Sequence, residues 1–564
     1  MIAISFIVLS LADAWFWSWI IYLAQAYEAE NSVLKKCVQK KILRNPILRG
    51  FNPDPSICRV GDTYYIATST FEWFPGVQIF ASTDLEDWKL VSRPLDSARL
   101  LDMRGVPDSC GVWAPALSYA DGKFWLLYTN VRRFDGDFKD TPNFLTTCEE
   151  IDGEWSDPIY INASGFDPSL FHDDDGRKWV VNMVWDHRHN HSYFKGIVLQ
   201  EYSVEMRKVF GPRKMIFQGS EAGYTEGPHL YKINGEYYLI TAEGGTGYNH
   251  AVSVCRSDKI DGPYEIDPAM HVITAQGQAG KPIQRTGHGG LVDTPEGRWF
   301  LTHLCSRPIP GTRLSPMGRE TAIQEVYFDD DGWIRLRHPD IAFEIKSLNE
   351  DEKQLIRYSF DGEKLHSDFA WLRTPYPERL FSLSAREGCL RLIGRESPGS
   401  LFEQSIVARR QTEHCYQATT IIEFDPDSFQ QMAGLIAYYN QHKFHYLFIS
   451  YDDENGKTLQ VMSCAGDLSL HARAPMGLKP VSIPEGVPIH MKVDVKFDVL
   501  TFYWSLDGGD WTRIGPTLDA SALSDEAGKG EGANFTGAFV GMACHDVTGI
   551  GLHADFSAFS YAET

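Results

Sequence analysis

At 564 residues, 43% hydrophobic and 13% aromatic, the chain is long enough to bury more than one well-packed core. A formal charge of −22 without any long basic run argues against nucleic acid and other polyanions as partners and suits a neutral ligand such as a sugar. Ten cysteines (Cys37, Cys58, Cys110, Cys148, Cys255, Cys305, Cys389, Cys415, Cys464, Cys544) lack CxxC spacing, so no zinc cluster is visible.

Met1 to Ala26 is almost entirely apolar, interrupted by Asp13, and Ala24-Gln25-Ala26 resembles a signal cleavage site. No Lys or Arg precedes it, and the run is long enough to span a bilayer. Lys35, Lys36, Lys40, Lys41 and Arg44 follow, which would leave an uncleaved anchor's enzyme cytosolic. Residues 1–44 therefore read as an apolar segment and linker with three readings: signal, anchor or spurious extension. A membrane is a partner only for the anchor. The localisation, cytoplasmic or secreted, follows the same choice. Scattered, strand-embedded cysteines lean towards a reducing compartment, while their even number leaves disulfides open.

From Asn45 onward one pattern recurs five times. Each copy runs from a small, acidic or basic residue through an apolar run and a tight Gly-containing turn into an aromatic-rich strand. The copies start at Asp54, Ala114, Asp167, Gly227 and His288, spaced by 60, 53, 60 and 61 residues. Strand, turn and strand make a hairpin, and hairpins repeated at this period predict a five-bladed β-propeller over residues 45–345. Equivalent positions in different blades converge on the axis, which brings Asp54, Asp167 and His288 together, with Glu226 one residue before the fourth start. Any one such residue reads more simply as strand punctuation. Three carboxylates around one small cavity are costly unless paired, solvated or functional.

The charged stretch from Lys346 reads as a linker over 346–360. Beyond it the period disappears, and short alternating strands such as Ala418-Thr-Thr-Ile-Ile-Glu-Phe and Ile489-His-Met-Lys-Val-Asp-Val predict an antiparallel β-sandwich over 361–564, of the concanavalin A-like or jelly-roll kind. The chain is expected to be all-β.

Several motifs, taken together, resemble the β-xylosidases of glycoside hydrolase family 43. They are Asn45-Pro-Ile-Leu-Arg-Gly-Phe-Asn-Pro-Asp54-Pro-Ser, Ser69-Thr-Phe-Glu-Trp-Phe-Pro-Gly-Val, Gly111-Val-Trp-Ala-Pro, Tyr224-Thr-Glu226-Gly-Pro-His and Gly318-Arg-Glu-Thr-Ala-Ile-Gln. The resemblance extends through Gln430-Gln-Met-Ala-Gly-Leu and Asn534-Phe-Thr-Gly-Ala-Phe-Val-Gly, and residues 1–44 lie outside it. It implies Asp54 as the general base that activates water, Glu226 as the general acid, and Asp167 as the carboxylate that orients the acid and raises its pKa. Glycosidic cleavage needs one protonated and one ionised carboxyl group flanking the bond. The resemblance also implies inversion at the anomeric carbon.

By the same resemblance Arg319 lies near the base and the sugar's hydroxyls, though a salt bridge with Glu320 is the simpler alternative. His288 would hold Arg319, a central water or, in some relatives, calcium near the axis. No catalytic metal or other cofactor is expected. Phe71, Trp113 and Trp185 match aromatic walls of the sugar pocket. Phe535 matches a residue that the second domain inserts towards it, closing one end and favouring exo-action. Asn162, Asn190 and Asn534 head glycosylation sequons.

The expected function is thus release of xylose from the non-reducing ends of β-1,4-xylo-oligosaccharides, with activity on α-L-arabinofuranosides besides. A dedicated arabinofuranosidase, an endo-arabinanase and a non-catalytic sugar-binding propeller are the alternatives. The oligomeric state, a homo-oligomer included, is left open.

Overall fold

The computed structural model describes residues 45–345, 355–466, 479–527 and 534–564, besides Leu43 and Lys353. The apolar segment 1–26, Cys37 and most of the charged stretch after Lys346 lie outside the described residues. Five four-stranded antiparallel sheets follow one another, with innermost strands Ser56–Val60, Gly111–Ala120, Ser169–His172, Glu226–Ile233 and Gln284–Asp293. Each innermost strand touches those of both neighbouring blades, the fifth returning to the first, which closes the ring. The incoming segment reinforces this closure: Ile47 N–H donates to Thr321 O at 2.8 Å, and the Asn45 side chain bonds both backbone groups of Ile323.

Turn chemistry sets the hairpins. Asp121-Gly122 and Asn234-Gly235 both have positive φ at the two central positions, the primed turn that matches strand twist. They fix the pairings Ala120↔Lys123 and Ile233↔Glu236. Positive φ also marks all five repeat starts: 55° at Asp54, 39° at Ala114, 54° at Asp167, 57° at Gly227 and 45° at His288. Glycine, aspartate and histidine tolerate this region better than most residues. In the second, fourth and fifth blades the register slips here, between Trp113 and Ala116, Glu226 and His229, and Gly287 and Gly289. Such bulges re-aim side chains. The repeat is therefore a repeated backbone kink at the top of the axis.

Two eight-stranded antiparallel sheets form the sandwich. Cys415–Glu423 alternates, with Tyr416, Ala418, Thr420 and Ile422 turned into the core. Gln431–Asn440 and Lys443–Asp452 are buried almost throughout, because the sandwich's other sheet covers one face of their sheet and the propeller side the other. The linker expected over 346–360 ends earlier than its charge suggested. Leu355–Tyr358 is an edge strand paired with His553–Glu563, and Tyr358 packs edge-on against Phe369. The charged run gives way there to an apolar–polar alternation that a sheet edge can bury.

Propeller and sandwich share one core. Trp73-Phe74 of the first blade pairs with Trp371-Leu372, joining the sandwich sheet. The Trp73 ring stacks on Phe539 at 3.8 Å and 15°. Both Trp73 and Phe74 are fully buried, worth on the order of 1.5–3 kcal/mol each. Among the described residues no two cysteines are joined by a disulfide.

Candidate active site

A cavity of about 350 Å³ opens where the five kinks converge. Asp54, Asp167, Glu226, His288, Arg319, Phe71, Trp113, Trp185 and Phe535, the nine residues singled out from the sequence, all line it. Its carboxylates are not equivalent. Asp54 accepts from Arg319 Nη1 and from Ser69 Oγ, both at 2.7 Å. Ser69 Oγ in turn accepts the Ala114 N–H at 2.7 Å, tying the first repeat start to the second. Asp54 is thus surrounded by the donors an ionised carboxylate needs. The expected alternative partner of Arg319 is otherwise engaged, since Glu320 pairs with Arg307 at 2.7 Å.

Glu226 has no such support. Burial raises its carboxyl well above the usual range, with Asp167 and then Asp54 adding to this against the pull of Arg319. Burial also raises Asp167, with Asp54 reinforcing it; the Gly227 N–H, donating to Asp167 Oδ2 at 3.0 Å, opposes this. That bond anchors Asp167 on the residue next to Glu226. Gly227 is glycine for a further reason: a Cβ there would lie 3.0 Å from the His288 ring. His288 Nδ1 in turn stands 3.9 Å from Asp54 Oδ1, and burial lowers the affinity of its imidazole for a proton. The arrangement can hold one ionised and one protonated carboxyl group across a small void.

The walls are aromatic. Trp113 meets Phe535 edge-on with centroids 5.6 Å apart, and Phe71 lies 5.5 Å from Trp113. Phe535, carried by the sandwich, also meets Phe134 at 5.6 Å, and its carbonyl accepts Arg319 Nη2 at 3.0 Å. Trp185 stacks on Tyr193 with planes 4° apart and donates to Asp137 O at 2.8 Å.

Comparison with known proteins gives the family. The profile of glycosyl hydrolases family 43 matches residues 43–334, and that of the beta xylosidase C-terminal Concanavalin A-like domain matches 357–562. The chain belongs to glycosyl hydrolase family 43. Xylosidase/arabinosidase 43B of Humicola insolens is 51% identical over 92% of this chain and 97% of its own length. A beta-xylosidase of Bacillus subtilis is 45% identical over 92% and 99%. The crystal structure of a xylan beta-1,4-xylosidase from Bacillus halodurans superposes with a TM-score of 0.87 at 46% identity, over 93% of this chain and all (100%) of that one. Membership makes the chain a glycoside hydrolase and sets aside the sugar-binding propeller without catalysis.

Sequence reasoning missed several lining residues of the hydrolase: Phe134, Lys139, Phe166, Tyr193, Phe194, Tyr224 and Thr246. Phe166 adjoins Asp167 in Gly-Phe-Asp-Pro, so its signal was present. Phe134 and Lys139 lie between Lys123–Val131 and Asn143–Cys148, in a connection outside the repeated strand–turn–strand pattern. Lys139 Nζ donates to the carbonyls of Phe134 and Gly136 and sits 4.0 Å from the Phe134 ring centroid.

Calcium near His288 is the one ion that the family resemblance allows. Such an ion takes about six to eight oxygen ligands. The carboxylate facing His288 is already held by Arg319 and Ser69, and among the described residues no group of three or more His, Cys, Asp or Glu is placed to hold a metal.

Proposed function

We propose that this hydrolase is an exo-acting β-xylosidase that releases xylose from the non-reducing ends of β-1,4-xylo-oligosaccharides, with α-L-arabinofuranosides as secondary substrates. The observation that carries the reading is the contrast between Asp54, held by Arg319 and Ser69, and Glu226, raised well above its usual range by burial, within one cavity that Phe535 also lines. Asp54 takes a proton from water as that water attacks the anomeric carbon. Glu226 gives its proton to the departing glycosidic oxygen. Asp167, anchored by Gly227, keeps Glu226 loaded and oriented. The two carboxyl groups then exchange protons with solvent to reset.

The names of the similar proteins support both sugars. Phe535 supports exo-action, because a ring from the sandwich that lines the cavity takes up space a continuing chain would need. An endo-arabinanase would need an open groove there.

The test is hydrolysis of p-nitrophenyl β-xyloside against p-nitrophenyl α-arabinofuranoside, and of β-1,4- against β-1,3-linked xylobiose. The expected result is faster turnover of the xyloside and the β-1,4 linkage, with α-xylose as the first anomer seen by NMR. Preference for the arabinofuranoside would make the chain a dedicated arabinofuranosidase. Glu226→Ala should lose about 10²–10⁴-fold on xylobiose and much less on the activated nitrophenyl xyloside, which needs little protonation of its leaving group. Equal losses on both would remove Glu226 from the acid's role.

A further inference from the structure

Ser109 lies in the loop before the innermost strand of the second blade, fully buried, with φ at 57°. Its three polar groups are all spent on residues of the pocket or beside it. The carbonyl accepts the Trp113 indole N–H at 3.0 Å. The hydroxyl oxygen accepts the Phe535 N–H, also at 3.0 Å, across 426 residues of sequence. The N–H donates to Glu72 Oε2 at 3.1 Å, and Glu72 directly follows the wall residue Phe71. One serine thus touches the peptide unit or ring of two walls and the neighbour of a third. Beyond Phe535 the chain of contacts continues: the Phe535 carbonyl accepts from Arg319, whose other terminal nitrogen holds Asp54.

We propose that Ser109 is a positioning residue whose hydroxyl fixes the sandwich's Phe535 against the propeller's Trp113 and so sets the grip on the terminal sugar. The inference rests on the proposed exo-glycosidase reading. The two walls come from different domains, and two propeller side chains hold the backbone of Phe535: Arg319 at its carbonyl and Ser109 at its N–H. Of the two, Ser109 is the one that also bonds Trp113. The positive φ at Ser109 fits this use, because a serine held there sits in a conformation that glycine would adopt more easily. A residue needed only for the turn would be better as glycine. The hydroxyl is what glycine lacks.

Two variants of the full chain separate these roles. Ser109→Ala removes the acceptor; Ser109→Gly removes it and also relieves the backbone. A neutral hydrogen bond has a net value that corresponds to about two- to twelvefold in binding. Both variants should therefore raise KM, and the inhibition constant of free xylose, about three- to tenfold, and by more than kcat falls. Ser109→Gly should do so while melting no lower than the wild type. In a Phe535→Ala background, Ser109→Ala should add little, because the ring it positions is gone. A Ser109→Gly variant with wild-type KM and xylose inhibition would overturn the proposal, as would losses that simply add in the double variant. Wild-type turnover of the two nitrophenyl glycosides tests the proposed function. The variant-to-wild-type ratio, read on whichever sugar is bound, tests Ser109.

Discussion

The proton on Glu226 is held by its surroundings, and Asp167 is the part of them that a single substitution can change. Burial is the largest cause of the upward shift, and Asp167 is the largest charge behind it. Asp167→Asn keeps an oxygen to accept the Gly227 N–H and tolerates the positive φ of that position. It removes the charge. In the proposed mechanism the acid form of Glu226 is the working one, so activity falls as pH rises through its pKa. With Asn at position 167 that pKa drops, and the basic limb of the kcat/KM profile moves to lower pH. An unmoved limb with an unchanged rate would leave Asp167 a structural turn residue. Asp54, Asp167 and Glu226 were legible because they occupy or adjoin repeated positions. Ser109 and Glu72 were not. Their partners lie in another domain or another turn of chain, and no local pattern announces a contact 426 residues away.

At the scale of elements, hairpin turns carried the reading. Asn-Gly and Asp-Gly between apolar runs state a backbone geometry directly, and the five strand starts follow from it. Less visible was why the fourth start is glycine where two others are aspartate. The answer is crowding: His288 from the fifth blade fills the space a fourth-blade side chain would take. The fourth blade's carboxyl group stands one residue earlier, at Glu226. Gly227→Ala should cost about 1–2 kcal/mol for the left-handed backbone, as any such alanine does. It should also displace the His288 ring and cut kcat/KM. Gly235→Ala is the control, since its φ is 89° but nothing lies within 4 Å of the added carbon. Urea unfolding of both variants should show similar or larger losses for Gly227→Ala, with activity reduced only there. Equal activity in the two would mean His288 does not bear on the site. The strand at Leu355–Tyr358 escaped the sequence reading for a related reason: four residues at a sheet edge give too short an alternation to outweigh the charged run before them.

Over the whole molecule, one core joins the propeller to the sandwich, and its polar centre is a buried set of Glu72, Asp108 and Arg373. Arg373 Nη2 donates to Asp108 Oδ1 at 2.6 Å, and its backbone N–H donates to the Glu72 carbonyl at 2.9 Å. Burial first, and Asp108 second, push the Glu72 carboxyl up to about 8 against the pull of Arg373. Between the ordinary glutamate range and about pH 8, the folded protein thus keeps a proton that the unfolded chain has released. Stability from this group is full below that range and is lost as pH rises through about 8. Glu72→Gln retains an oxygen for the Ser109 N–H and cannot ionise. Its melting temperature, compared with the wild type from about pH 5 to pH 9, should gain on the wild type steadily as pH rises, whatever the offset at pH 5. Other buried carboxyl groups, Asp167 and Glu226 among them, titrate alike in both proteins and drop out of the difference. Melting curves that stay parallel across the range would show that Glu72 ionises no differently in the folded protein, and the joint between the two domains would then not weaken at alkaline pH through this residue.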